Sequence, residues 1–362
     1  MAVVLDKVSK VVGGETHVQE VSLTLERGSV NVLLGPTRAG KTSLMRLLAG
    51  LDWPSSGRIL VEGTDVTGLD VRKRSVAMVY QSFINYPTLS VYENIASPLR
   101  VARLPRAEID RKVREAAKLL RLDAFLDRSP LALSGGQQQR TALARALVKG
   151  ADLVLMDEPL ANLDYKLREE LREELPRIFL ARGSILVYST TEPSEALLLG
   201  GNVGTLWQGR LTQFGPAAAV FRRPADLVSA EVFSDPPLNR LRVEKRAGAL
   251  ALETGGTVPA AGAFEGLADG PYLMAFRAHH LHLQRPSPTA FALRGRVQVS
   301  EITGSESFVH VDYGVARFVA VTGGVHELEP GAEIDTFVDP AEVFVFTEAG
   351  ALAAAPTLSR AA

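Results

Sequence analysis

The first chemistry legible in this sequence lies in eight consecutive residues, Gly35-Pro36-Thr37-Arg38-Ala39-Gly40-Lys41-Thr42. Two glycines bracketing a short loop, followed at once by a lysine and a hydroxyl residue, suit backbone N–H groups wrapping phosphate oxygens at a helix start. Lys41 would neutralise the β and γ phosphates of a nucleotide, and the Thr42 hydroxyl would face the Mg²⁺ that bridges them. The nucleotide cradle is therefore drawn as Gly35, Pro36, Thr37, Arg38, Ala39, Gly40, Lys41, Thr42 and Ser43. Farther along, Asp157-Glu158 closes the apolar run Leu153-Val154-Leu155-Met156, at the carboxyl end of a strand, where open α/β sheets bind ligands. Asp157 suits the metal. Glu158 suits the orientation or deprotonation of an attacking water, and with Lys41 it heads the catalytic candidates. In Leu133-Ser134-Gly135-Gly136-Gln137-Gln138-Gln139-Arg140, Ser134 can cap a helix and the two glycines let backbone donors close on an anion. Taken singly these have plainer readings: a chance loop match, two surface acids ending a strand, a capped helix.

The elements around these residues fit the chemical reading. Val32-Leu33-Leu34 is a short buried strand before the loop, and Thr42 to Leu51 has helical periodicity ending at Gly50. Val3 to Val32 alternates in short apolar segments around Gly13-Gly14 and Arg27-Gly28, the pattern of a small antiparallel β layer. Glu108 to Leu126 and Gly135 to Val148 read as helices. Leu153 to Met156 and Ser184 to Tyr188 are continuous apolar runs, as in buried parallel strands. After Pro224 the composition shifts to short β-branched segments at Leu293 to Val299, Ser307 to Val311 and Ala316 to Val321, separated by glycine turns. The expected division is an α/β domain over 1–234, a β domain over 235–348 and a disordered alanine-rich tail over 349–362.

Composition narrows the function classes. A chain of 362 residues exceeds the size of a single core, and a formal net charge of −1 gives no electrostatic footprint for nucleic acid. With no cysteine, disulfides, thiolate metal sites and cysteine nucleophiles are excluded. No run reaches the roughly 18 apolar residues needed to span a bilayer, and the N-terminus has no basic leader with an apolar core, so a soluble or peripheral chain is expected. His279, His280 and His282 form a cluster for which an ordinary polar surface is favoured over a metal site, leaving Mg²⁺ as the only expected metal.

With the three motifs in hand, the Ser134-Gly135-Gly136-Gln137 core is similar to the signature of ATP-binding cassette proteins. The order strengthens the likeness: phosphate loop, a Q-loop glutamine at Gln81 in Val79-Tyr80-Gln81-Ser82, signature, acids, and a D-loop-like Leu160-Ala161-Asn162-Leu163-Asp164. Gly295 to Val311 resembles the small β domain at the C-terminus of sugar-importer ATPases. The resemblance implies a P-loop NTPase fold with a RecA-like core, an antiparallel β subdomain and a helical signature subdomain, followed by an all-β, OB-like domain. It implies ATP and Mg²⁺ as cofactors, with Thr42, Gln81 and Asp157 toward the metal and Gln81 and Glu158 toward the water. It also implies a sandwich of two cassettes, in which each phosphate loop faces the other subunit's Ser134 to Gln137, working with two membrane permease subunits and, indirectly, an external solute-binding protein. Phe83, Ile84, Asn85 and Tyr86 would form the groove for the membrane subunits, or Phe83 and Tyr86 would be core aromatics.

Three positions depart from the family. Thr191 stands where a histidine organises the attacking water, Val12 lies where an aromatic stacks on adenine, and Arg38 occupies a loop position where glycine is common, with the turn constrained or the side chain in solvent. Thr191 beside an otherwise complete set implies pairing with a different ATPase that carries its own histidine. Thr190 to Ala196 together with Gly35-Pro36-Thr37 is similar to ATPase subunits of bacterial glycerol-uptake importers, which implies a carbohydrate or polyol cargo and a place at the cytoplasmic face of the inner membrane. The rival readings are a non-hydrolytic regulatory module, a homodimeric sugar-importer motor, a cassette ATPase of translation or DNA repair, and a nucleotide kinase. A single cassette without heptads counts against the third, and the Ser134 segment against the fourth.

Overall fold

The structure is a computed structural model of the chain and describes residues 2–82, 84–161, 163–314 and 316–357. Phe83 of the expected groove, Asn162 of the D-loop-like segment and the last five residues of the expected tail lie outside the described residues. The chain divides into two compact units, Met1–Ala217 and Ala218–Ala362.

In chain order the first unit runs β1 (Ala2–Val12), β2 (Glu15–Glu26), β3 (Val30–Leu34), α1 (Lys41–Ala49), β4 (Ser56–Val61), β5 (Thr64–Asp65), β6 (Val76–Val79), α2 (Val91–Val101), α3 (Arg106–Leu119), α4 (Gly135–Lys149), β7 (Leu153–Asp157), α5 (Tyr165–Ala181), β8 (Ile185–Thr190), α6 (Pro193–Leu199), β9 (Asn202–Trp207) and β10 (Arg210–Pro216). Strands β2-β1-β4-β5 form an antiparallel sheet, and β10-β9-β3-β8-β7-β6 a second, parallel except for the edge pair of β9 and β10. Every residue of β3, β7 and β8 is buried, which is why these strands read as unbroken apolar runs. The half-exposed β2 instead alternates, burying Val18, Val21, Leu23 and Leu25. One apolar cluster joins the two sheets through α1, from Val3, Leu5 and Leu25 to Leu44, Leu47, Leu155 and Val187.

The order β3-β8-β7 matters for chemistry. The chain leaves β3 at Leu34 into the phosphate loop, leaves β7 at Asp157 and leaves β8 at Thr190, so three neighbouring strand ends converge at one carboxyl edge. Helices α2, α3 and α4 pack on one another as a helical subdomain of this unit. The helix expected to reach Leu126 ends at Leu119; buried Leu122 and Leu126 continue its apolar rhythm through a 3₁₀ turn at Asp123–Phe125.

After two short helices, α7 (Ala217–Arg222) and α8 (Leu227–Val232), the second unit is all β: β11 (Asn239–Arg246), β12 (Ala249–Leu252), β13 (Thr257–Pro259), β14 (Gly270–Phe276), β15 (Leu281–His282), β16 (Phe291–Ile302), β17 (Glu306–Asp312), β18 (Arg317–Gly323), β19 (Glu333–Val338), β20 (Phe344–Phe346) and β21 (Leu352–Ala354). A six-stranded sheet, β13-β12-β11-β14-β20-β21, and a five-stranded one, β15-β19-β16-β17-β18, share one core that includes Phe264, Phe276, Phe318 and Val345, an architecture of the expected OB-like kind. The first unit closes earlier than residue 234 because Ala230 of α8 packs with Ala275, Phe344 and Phe346 of the second. Residues 352–354, where disorder was expected, form β21 and pair with β20, which supplies a partner that local composition does not reveal.

Candidate functional site

The phosphate loop is built by its own backbone. Gly40 has φ 104°, and a Cβ there would stand 2.5 Å from the His17 carbonyl, so the turn into α1 requires glycine. The Ala39 N–H donates to the Pro36 carbonyl at 3.1 Å, and the Gly209 N–H donates to the Ala39 carbonyl at 2.9 Å. Arg38 is exposed with φ 67°, so this side chain both points to solvent and holds a backbone position that favours glycine. Lys41 heads α1 and is 5% exposed. Its ammonium donates to the carbonyls of Gly35 at 2.7 Å and Pro36 at 3.1 Å and lies 3.6 Å from Glu158 Oε1. Burial pulls its pKa below the usual lysine value, opposed by the Glu158 and Asp157 carboxylates.

Thr42 Oγ1 donates to Asp157 Oδ2 at 2.7 Å, and the Ser189 hydroxyl donates to Asp157 Oδ1 at 2.5 Å. Glu158 follows with φ 46°, its N–H shared between the Ser189 hydroxyl and carbonyl, each at 3.2 Å. Gln81 Nε2 donates to Glu158 Oε2 at 2.9 Å, which leaves the amide oxygen as the atom Gln81 would offer a cation. A cavity of about 460 Å³ lies among these groups, lined by Thr37 through Ser43, Gln81, Glu158 and the strand residues Glu15, Thr16 and His17. A larger cavity of about 630 Å³ between Pro98 and Arg182 contains none of the candidate residues.

Gly35 and Pro36 support Lys41 without lining the cavity, and Asp157 reaches it through Thr42. Val12, expected to touch adenine, is 48% exposed and precedes the Gly13-Gly14 turn; it is not among the residues lining the cavity, whereas Glu15, Thr16 and His17 after the turn are. Ser134, Gly135, Gly136 and Gln137 also stay outside the cavity. They begin α4 in a capping box, with the Gln137 N–H donating to Ser134 Oγ at 3.4 Å and the Ser134 N–H donating to Gln137 Oε1 at 3.0 Å. Thr191 is exposed beyond β8, apart from the cavity lining. Of the groove residues, Ile84 and Tyr86 are half exposed. Asn85 donates to the Gln138 carbonyl at 2.9 Å, and the Arg145 guanidinium lies 5.0 Å from the Tyr86 ring, so this loop is strapped to α4 rather than sunk in the core.

Two contributors escaped the sequence reading. His17 Nδ1 lies 3.4 Å from Ser43 Oγ, and Ser189 holds both acids. His17 is placed by the β1–β2 hairpin and Ser189 by its register opposite Asp157, and neither is encoded as a local motif. Among the described residues no group of three or more His, Cys, Asp or Glu is arranged to hold a metal by itself. The donors at Thr42, Asp157 and Gln81 are all oxygens with a single carboxylate, which fits Mg²⁺, an ion that completes its shell with water and phosphate.

Residues 18–161 match the ABC transporter family. The chain is 36% identical to the trehalose/maltose import ATP-binding protein MalK of Thermococcus litoralis, over 93% of this chain and 95% of that protein. It is 32% identical to the sn-glycerol-3-phosphate import ATP-binding protein UgpC of Paracoccus denitrificans, over 95% of this chain and 96% of that one. The dimeric post-hydrolysis structure of the ATP-binding cassette MJ0796 bound to ADP and Pi superposes with a TM-score of 0.56 at 27% identity, covering 59% of this chain and 98% of that cassette. A phosphate loop closed over Lys41, an acid pair two strands away at the same sheet edge and relatives that span both units lead to one conclusion: the chain belongs to the ABC transporter ATP-binding family and is an ATPase.

Proposed function

We propose that this ATPase powers an importer for a carbohydrate or polyol, sitting peripherally at the cytoplasmic face of a bacterial inner membrane. Its partners there are two permease subunits, a solute-binding protein outside and a second cassette. The observation that carries the reading is the convergence of Lys41, Thr42, Gln81 and Glu158 on one cavity, with Asp157 tied to Thr42 behind it. Among the described residues no helix is long and apolar enough to cross a membrane, in keeping with a subunit that relies on others for the channel.

In this reading the loop amides and Lys41 bind the phosphates, and Lys41 moves from the Gly35 and Pro36 carbonyls onto the nucleotide. Thr42, Asp157 and the Gln81 amide oxygen would hold Mg²⁺, whose positive charge would offset that of the phosphates. Glu158, oriented by Gln81, takes up the attacking water. The Ser134 to Gln137 segment, outside its own cavity, supplies N–H donors to the partner's nucleotide. Thr191, exposed and unable to carry positive charge, favours a partner of different sequence that brings its own histidine.

The test is steady-state Mg²⁺-dependent ATP turnover of the chain alone at high concentration, beside Thr191→His. The expected outcome is slow turnover that histidine raises by at least about tenfold, within the range of a general acid–base contribution. Robust turnover unaffected by the substitution would replace the unequal pair with a homodimeric motor.

A further inference from the structure

Ser189 is fully buried in β8, the strand between β3, which feeds the phosphate loop, and β7, which ends at the acids. It is in register with Leu33 on one side and Asp157 on the other. A buried hydroxyl on an apolar strand is costly unless both its donor and its acceptor capacity are used. Here the donor goes to Asp157 Oδ1 at 2.5 Å, and the oxygen accepts the Glu158 N–H at 3.2 Å. The remaining carboxylate oxygen of Asp157, Oδ2, accepts from Thr42 at 2.7 Å. The two oxygens of Asp157 thus face different ways, one into the sheet and one toward the loop.

We propose that Ser189 is a positioning residue for both acids. By engaging Oδ1 it leaves Oδ2 as the oxygen presented beside Thr42 to a divalent cation. By accepting the Glu158 N–H it fixes the turn, φ 46°, that sends the Glu158 carboxylate toward Gln81 and Lys41. The assignment rests on the cassette reading of the site. A hydroxyl that only filled space in the core would affect binding with and without cation alike, whereas a positioning hydroxyl acts on the cation-dependent part.

The experiment uses the full chain with Ser189→Ala and Ser189→Thr. Nucleotide affinity is measured with trinitrophenyl-ATP in EDTA, and Mn²⁺ affinity of the nucleotide-bound chain by electron paramagnetic resonance. Ser189→Ala is expected to bind the nucleotide in EDTA as the parent does, while its Mn²⁺ affinity falls by roughly 10–100-fold, the usual effect of losing a group that orients a metal ligand. Ser189→Thr, which keeps the hydroxyl, is expected to restore Mn²⁺ affinity. Equal Mn²⁺ affinity in Ser189→Ala and parent overturns the assignment, as does an equal loss with Mn²⁺ and in EDTA. A parent that binds nucleotide without any response to Mn²⁺ overturns the cassette reading itself, and the assignment with it.

Discussion

Glu158 sits in the left-handed backbone region, φ 46°, at a cost on the order of 1–2 kcal/mol for a residue with a Cβ. The turn is held by the Ser189 hydroxyl and carbonyl behind it and by Gln81 and Lys41 in front. Replacing the carboxylate while keeping its shape separates binding from chemistry. Glu158→Gln is expected to hold ATP within about threefold of the parent and to lose about 10²–10⁴ in turnover, the range of a positioned base. Equilibrium dialysis beside a phosphate-release assay checks this, and unchanged turnover would move the base elsewhere. Lys41, Thr42, Asp157 and Glu158 were all legible in the sequence because each belongs to a contiguous motif whose spacing is itself the chemistry. Ser189 and His17 were not, since their roles arise from strand register and a hairpin.

At the level of elements, the turn from Tyr86 to Ser90, besides its contacts with α4, is pinned to α2 by one buried amide. Asn94, on α2, accepts the Tyr86 N–H at 2.8 Å and donates to the carbonyls of Tyr86, Leu89 and Ser90 at 2.9–3.1 Å, while Ser90 caps the same helix. Asn94→Ala would strand buried backbone groups, at about 2–3 kcal/mol of stability. Urea unfolding is expected to register that loss, and a midpoint unchanged from the parent would show that water replaces the amide without penalty. The helix itself was hard to read, because Pro98 inside it interrupts the signal that a helix normally gives. The buried strands β3, β7 and β8 were the opposite case, since runs such as Leu153 to Met156 leave no polar face to mislead. The end of α3 was overrun because Leu122 and Leu126 stay buried after the helix has stopped.

At the scale of the whole chain, the two units differ in how they should meet acid. His280, in the second unit, places Nδ1 3.1 Å from the Glu342 carbonyl and its ring 4.2 Å from that of His279. Burial, then the nearby His279, Arg277 and His282, push its pKa from 6.5 to about 3. The folded state keeps this imidazole neutral while the unfolded chain protonates it, so its contribution is complete above pH 6.5 and is lost progressively as pH falls toward 3. The Glu342 backbone carbonyl beside Nδ1 opposes this shift and is the weakest of the causes. Both tryptophans, Trp53 and Trp207, lie in the first unit, so their emission reports on that unit, whereas the far-UV strand signal carries both units. On acid titration the far-UV strand signal is expected to fall before tryptophan emission changes, and His280→Gln to shift that first transition about half a pH unit lower. Coincident transitions in the parent would contradict it. This division was legible only as a change of composition near Pro224, because the contacts that draw α8 into the second unit join residues more than a hundred positions apart in the chain, such as Ala230 and Phe344.

Lys41 is anchored to the carbonyls of its own loop. A free lysine gives up as much as about 1.5–2 kcal/mol of rotational entropy when it is immobilised. In this chain that order is already imposed by folding, so a phosphate bound there as proposed would exchange one set of oxygens for another around an ammonium that is nearly at rest. The loop thus resembles a cast set before its contents arrive.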